Sequence, residues 1–342
     1  MKFFASIYLV FCLIFWPGSY AQAQIIQEDH IYTYEKMEKD LNDLQKKYKF
    51  GLKSLGITQK GKKIYAAHLG EGEESIIITG SHHGREWLTS LLLMKMLEQY
   101  AKAYHLNEPI SRYPSEILNK VSIWFVPMVN PEGVSIQQGD LSLYNWKEKL
   151  ALMKMNRYSL NFMRWKANGQ GIDLNRQYPA GWSNVETGIN HPSYHFYKGK
   201  YPLQAKEAAA LASFTQKIRP LLAVAYHTSG REIYWKYQNK QENVIRDYLL
   251  ASKTAKMTSY LLSVPEKHAT GSGYTDWFIT EFKRSAITLE AGPPAGETSV
   301  PMKVFKEEWQ RNKYVGIMLA EEAYKQDKNK KKNPLHTKNN DK

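Results

Sequence analysis

Ser75-Ile76-Ile77-Ile78-Thr79-Gly80-Ser81-His82-His83-Gly84-Arg85-Glu86-Trp87 is the stretch on which the fold turns. Its Ile-rich start reads as a strand that ends at Gly80. From Trp87 to Tyr104 the chain reads as a helix, with Leu91, Leu92, Met94, Leu97 and Ala101 available for a buried face. A histidine pair and an acid therefore stand at the carboxyl end of a strand, in the turn into a helix. That is where an open α/β sheet places its ligand crevice. His83 and Glu86 form His-x-x-Glu, a spacing that can aim one imidazole and one carboxylate at a single ion. A hydrolytic metal site needs a third protein ligand and one position left for water.

Working outward, Lys63 to His68, Val121 to Val126, Leu221 to Tyr226 and Ala286 to Leu289 carry strand signals. Tyr34, Met37, Leu41, Leu44 and Tyr48 recur at helical spacing behind a capping Thr33. Further helices are expected at Gln204 to Lys217, Asn243 to Leu262 and Val304 to Tyr324. Between Gln138 and Gly199 the chain is rich in Asn, Gly, Tyr and Trp with little periodicity, and reads as long functional loops. Strands alternating with helices, with no internal repeat, predict one α/β domain over residues 28–325: an open mixed β-sheet flanked by helices.

The 342 residues are 43% hydrophobic and 13% aromatic, enough for a sizeable core, which excludes a disordered chain. The single cysteine, Cys12, lies in the apolar run Phe3 to Trp16. Lys2 precedes that run, and Pro17-Gly18-Ser19 and Ala21-Gln22-Ala23 follow it, the pattern of a secretory signal peptide over residues 1–23. The run is shorter than the ~20 residues a spanning helix needs. The expected product is an exported, secreted or cell-wall-associated chain with no cysteine chemistry and no stable membrane span. The formal charge is +14. Lysines 328, 330, 331 and 332 head a lysine-rich stretch, residues 326–342, with no apolar face, which reads as a disordered tail. The tail could contact an anionic cell-wall polymer; no motif supports nucleic acid as a partner.

Three more segments carry chemistry. His227 closes the strand Leu222-Ala223-Val224-Ala225-Tyr226 beside the turn Thr228-Ser229-Gly230, placed either for ligation or for a hydrogen bond at a sheet edge. Glu290 follows Ser285-Ala286-Ile287-Thr288-Leu289, and a carboxylate there is costly unless paired, hydrogen-bonded or catalytic. In Gly171-Ile172-Asp173-Leu174-Asn175-Arg176, Asn175 and Arg176 can read a carboxylate, and Asp173 can orient a ligating histidine from behind.

In this order, with Val126-Pro127-Met128-Val129-Asn130-Pro131-Glu132-Gly133-Val134 and Tyr274-Thr275-Asp276-Trp277, the segments resemble the zinc carboxypeptidase family over Tyr32 to Tyr324. The resemblance implies that fold and one Zn2+ per chain, held by His83, Glu86 and His227. It implies Glu290 as general base, taking a proton from the attacking water and giving it to the leaving amine. Asn175 and Arg176 would hold a substrate carboxylate, Arg85 a neighbouring subsite, and Thr275 the S1′ pocket. Lys166, after Trp165, stands where typical members carry an oxyanion-stabilising arginine, with Arg164 close enough to take that role instead. His268 stands where they carry a tyrosine on a mobile loop. The segment Trp165-Lys166-Ala167-Asn168 looks most like the bacterial γ-D-glutamyl–diamino-acid peptidases, which cut peptidoglycan stem peptides between D-glutamate and meso-diaminopimelate. The alternatives are a secreted metallocarboxypeptidase removing ordinary C-terminal residues, and an inactive wall- or polyanion-binding protein. The presence of all three ligands and Glu290 counts against the last.

Overall fold

The computed structural model describes residues 24–28, 30–264 and 270–332. Its centre is an eight-stranded mixed sheet: β1 (Gly51–Ile57), β2 (Lys63–Leu69), β3 (Glu74–Thr79), β4 (Val121–Val126), β5 (Leu222–His227), β6 (Glu232–Tyr234), β7 (Leu261–Leu262) and β8 (Ser285–Glu290). Across the sheet the order is β1-β2-β4-β3-β5-β8-β6-β7. The four central strands, β4, β3, β5 and β8, are parallel, and β2 and β6 flank them antiparallel. The central strands share one direction, so their carboxyl ends open on one rim.

Alternation along the strands feeds two cores. Ile76, Ile78, Val224, Ile287 and Leu289 point into one, while Ile77, Ala223, Ala225 and Ala286 point into the other. Burial on both faces is what central parallel strands require. The first core is covered by α1 (Tyr34–Tyr48), α2 (Leu88–Leu106), α6 (Gln241–Thr258), α8 (Phe305–Asn312) and α9 (Val315–Lys332). The second is covered by α5 (Lys206–Ile218), α7 (Tyr274–Phe282) and the connection through Ile172, Leu174 and Tyr178. Thr33 caps α1, its hydroxyl accepting from Lys36 N at 3.2 Å. The short helix α3 (Pro131–Gln137) follows β4, capped by Asn130 with Pro131 in its first turn.

Two sequence expectations need correction. The 138–199 stretch is not loop throughout: α4 (Trp146–Met155) stands inside it behind an Asn145/Glu148 capping box. Leu152 is its one buried residue, so periodic burial does not mark the helix. The C-terminal helix breaks at Lys313-Tyr314, and its second half, α9, runs to Lys332. Residues 326–332 are therefore helical rather than a disordered tail. There Lys331 pairs with Asp327 one turn back at 2.7 Å and with Glu74 at 3.2 Å, so part of the charge run is neutralised locally. The signal segment, His268 and residues 333–342 lie outside the described residues. β1, β6 and β7 were not anticipated: β1 is largely exposed, and the other two are three and two residues long.

Candidate active site

The site grows from the rim where the parallel strands end. β3 stops at Thr79, and the next turn is held from three sides. Ser81 N donates to Thr89 Oγ1 at 2.8 Å, Gly84 N donates to Lys166 O at 3.0 Å, and Asn130 Nδ2 donates to both His82 O and Ala167 O at 3.1 Å. A Cβ on Gly84 would lie 2.2 Å from Gly133 O, so only glycine admits this approach. Asn130 thus ties the His82–Glu86 turn, the Lys166–Ala167 segment and the start of α3 together. The sequence reading assigned it no role, although it stands in a motif quoted for the resemblance.

Packed in this way, His83, Glu86 and His227 converge. Their ligand atoms all lie within 4.8 Å of one another, and all three residues are buried. His83 Nδ1 and His227 Nδ1 face each other at 3.2 Å, and reach the Glu86 carboxylate at 2.7 and 2.9 Å. Two ring nitrogens and a carboxylate thus turn their lone pairs toward one buried gap, a donor set that suits a cation. His83 has its other nitrogen, Nε2, 3.2 Å from Asp173 Oδ1, where a carboxylate stands behind a metal-binding imidazole. The three residues fit a single zinc with one position left open. His82 is not in this group; its Nε2 pairs with the Tyr178 hydroxyl at 3.2 Å and its ring stacks on His227.

Sheet register supplies the next group. His227 and Glu290 are direct partners on β5 and β8, so the carboxylate lines the same cavity as the His–Glu–His trio. Burial pushes the Glu290 carboxyl well above its ordinary range, the negative charge of Glu86 adds to that, and Lys166 and Arg85 oppose it. Burial pushes on Glu86 too, but His83 and His227 outweigh it and hold its carboxyl below the ordinary range. A pair of neighbouring carboxylates driven in opposite directions is a pattern of acid–base sites.

The cavity, of about 420 Å³, is also lined by Arg85, Lys166, Asn175, Arg176 and Thr275. Lys166 Nζ stands 2.9 Å from Asp173 Oδ2, so one buried carboxylate bridges Lys166 and His83. Asp173 is held well below its usual range: burial pushes it up, and the Lys166 charge leads the groups that overcome it. Arg164 does not line the cavity. Its Nε and Nη2 go to Asn156, at 3.1 and 2.9 Å, and its guanidinium lies over the Tyr194 ring. Lys166 therefore has the cavity position that the sequence left open between the two. Arg176 donates to Asn175 O at 3.0 Å while its buried Nε has no partner. Asn175 Oδ1 accepts from Tyr274 N at 3.0 Å. Thr275 and Thr288 join hydroxyls at 2.8 Å, and beside them burial raises the Asp276 carboxyl to about 6. Lining residues that no sequence signal marked are Phe196, Tyr234, Trp235 and Lys236. Tyr234 ends β6, a strand too short to announce itself, and Trp235 and Lys236 follow it.

A His–Glu–His trio at the rim where the strands end, beside a half-buried carboxylate in a cation-lined cavity, is the site of a metal-dependent hydrolase. Residues 37–314 match the zinc carboxypeptidase family, Peptidase_M14, and the chain belongs to that family. It is a zinc metallopeptidase. It is similar to gamma-D-glutamyl-L-diamino acid endopeptidase 1 of Lysinibacillus sphaericus, 32% identical over 304 residues, covering 87% of this chain and 74% of the relative. Similar solved folds are bovine thrombin-activatable fibrinolysis inhibitor and carboxypeptidase A from Helicoverpa armigera. The first has a TM-score of 0.70 at 15% identity, covering 87% of this chain and 99% of the other. The second has 0.67 at 18%, covering 87% and 74%.

Proposed function

We propose that the chain is an exported peptidase that hydrolyses the γ-D-glutamyl–meso-diaminopimelate bond of peptidoglycan stem peptides. The observation that carries the chemistry is the placement of Glu290 beside the His83, Glu86 and His227 trio in one cavity. Zinc, when bound there, supplies a Lewis acid that polarises a carbonyl and lowers the pKa of water. In this reading Glu290 takes the proton of the attacking water and returns it to the leaving amine nitrogen, as the C–N bond breaks. The Lys166 ammonium, held by Asp173, faces the developing oxyanion as a point charge rather than a fork. Arg176 has a buried unpartnered Nε to offer a carboxylate of the diamino acid, with Asn175 beside it.

The substrate assignment draws on the likeness to the Lysinibacillus sphaericus endopeptidase and on the charge of the cavity. Arg85, Lys166, Arg176 and Lys236 line it together. A γ-linked stem peptide brings the free α-carboxylate of D-glutamate as well as the carboxylates of the diamino acid, more anionic groups near the bond than an ordinary C-terminal residue carries. The Thr275 and Thr288 hydroxyls give the cavity a polar patch suited to the far end of such a diamino acid.

The test is hydrolysis of L-Ala-γ-D-Glu-meso-diaminopimelate and of an ordinary α-linked peptide by the zinc-loaded protein and by Glu290→Gln. Release of diaminopimelate by the wild type alone is the expected result. Cleavage of only the α-linked peptide would make the chain a general carboxypeptidase. Zinc binding with neither peptide cut would favour the inactive binding protein.

A further inference from the structure

Fifteen large apolar side chains are exposed among the described residues, and six of them fall in one stretch: Leu143, Trp146, Leu150, Tyr158, Leu160 and Met163. Trp146 and Leu150 are one helical turn apart and share a face of α4, opposite the buried Leu152. At helical spacing Lys147 and Lys154 flank that face on one side and Lys149 on the other. Lys149 and Lys154 make no ion pair with a described residue, whereas the neighbouring acid, Glu148, between Lys147 and Lys149 in sequence, is taken up by Lys60 at 2.6 Å. The chain after α4 folds back on its last turn. Tyr158 N donates to Met153 O at 2.7 Å, and Asn156 Nδ2 donates to Ser159 O and Asn161 O, both at 2.9 Å. Tyr158 and Leu160 are both exposed in this turn at the C-terminal end of the helix.

We propose that α4 and residues 157–163 form a docking face for an anionic lipid surface, the apolar side chains entering the interface and the flanking lysines meeting phosphate. Trp and Leu on one face with lysines along its edges are what an in-plane interfacial helix presents. Each lysine near an anionic leaflet adds a favourable term, and its alkyl stem lets the ammonium reach the headgroups. Two competing occupants fit less well. A soluble polyanion rewards the lysines but gives Leu143, Leu150, Leu160 and Met163 nothing to bury against. A second copy docking through the same face would set lysine against lysine. No helix among the described residues is long and apolar enough to cross a membrane, so the contact is peripheral. The segment runs straight on to Lys166 in the cavity, and Arg85 Nη1 donates to Arg164 O at 3.4 Å on the way. Docking therefore holds the cavity beside the lipid surface.

The experiment is co-sedimentation of the full exported chain with phosphatidylglycerol vesicles and with phosphatidylcholine vesicles. It compares wild type, Trp146→Ser/Leu150→Ser, which keeps the charge, and Lys149→Gln/Lys154→Gln, which keeps the apolar face. The expected result is binding to phosphatidylglycerol alone, weakened at least ~10-fold in both variants, with unchanged thermal unfolding and unchanged peptide hydrolysis in solution. No binding by the wild type overturns the proposal. So does undiminished binding by Trp146→Ser/Leu150→Ser, because the contact would then be charge alone, as for a polyanion or the C-terminal lysines. A wild-type dimer in sedimentation velocity that the same substitutions dissociate assigns the face to a second copy instead.

Discussion

The strand ends and the long connection from α3 to α5 build the two walls of one cavity by different means. At the strand ends backbone pairing sets the distances: His227 and Glu290 are register partners, and β3, which leads into His83 and Glu86, is hydrogen-bonded to β5. In the connection, side chains do what the ladder does in the sheet. Asn130 ties the rim turn to Ala167, Asn156 ties the chain after α4, and Asn168 closes its own loop by accepting from Gln170 N and Ile172 N, both at 3.0 Å. Asp173 then joins the walls, with one oxygen near His83 and the other near Lys166. The residues to which the proposed mechanism gives bond making stand on the ladder-held wall, and those to which it gives substrate charge stand largely on the side-chain-held wall. The first tolerates little displacement; the second can be retuned by exchanging a few polar contacts.

The largest effect should come from the ladder-held wall. Glu290→Gln keeps shape and register but removes the base, so peptide hydrolysis is expected to fall about 10³-fold, with zinc still bound at one per chain by elemental analysis. Activity within a few-fold of wild type would move the base elsewhere in the cavity.

Next comes an anchor of the other wall. Glu207, on α5, accepts from Asn168 Nδ2 at 3.2 Å, and burial raises its carboxyl to about 7. A carboxyl whose folded pKa is raised stabilises the fold below the unfolded value, and this contribution is lost as pH rises through the folded one. Glu207→Gln mimics the protonated form. Relative to the variant, the wild type is therefore expected to lose about 3 kcal/mol of stability between about pH 4.5 and 7. Urea unfolding of both proteins at pH 5 and pH 8 reads the difference, and a gap that does not widen with pH would show that Glu207 ionises freely.

Asp173→Asn tests the joint between the walls. It keeps the shape and removes the negative charge between His83 and Lys166, and zinc affinity in a competition titration should drop 10- to 100-fold. An unchanged affinity would mean that Asp173 serves the Lys166 side alone. The smallest effect belongs to the cap of α4: Asn145→Ala removes a capping-box partner and should cost about 1 kcal/mol in thermal unfolding, leaving hydrolysis intact. A fall in hydrolysis with it would mean that α4 steadies the catalytic wall as well.

The same contrast explains what could be read from the amino-acid sequence. The central strands announced themselves by β-branched runs, and His83, His227 and Glu290 stood out as polar groups at or just beyond their ends, but their roles came from the family resemblance rather than from the strand pattern. The fold class and most of the covering helices followed from the sequence pattern, as did the cap at Thr33, but α7 was not anticipated. Hidden were elements stabilised by something other than periodic burial. α4 buries Leu152 alone, and α9 reaches Lys332 where Asp327 offsets one lysine. The role of Asn130 was equally hidden, because three of its partners are backbone groups distant in sequence and nothing local marks them. Lys166 and Arg164 are two residues apart in one segment, and only the tertiary placement of Asn156 and Tyr194 separates them.

The central claim is that His83, Glu86 and His227 form one zinc site on the ladder-held wall. Anomalous diffraction at the zinc edge from crystals of the zinc-loaded protein tests it. The expected result is a single strong peak bounded by His83 Nδ1, His227 Nδ1 and the Glu86 carboxylate, with Asp173 on the far side of the His83 ring. A peak at any other group of residues, or ligation through Nε2 with Asp173 turned away, would contradict it.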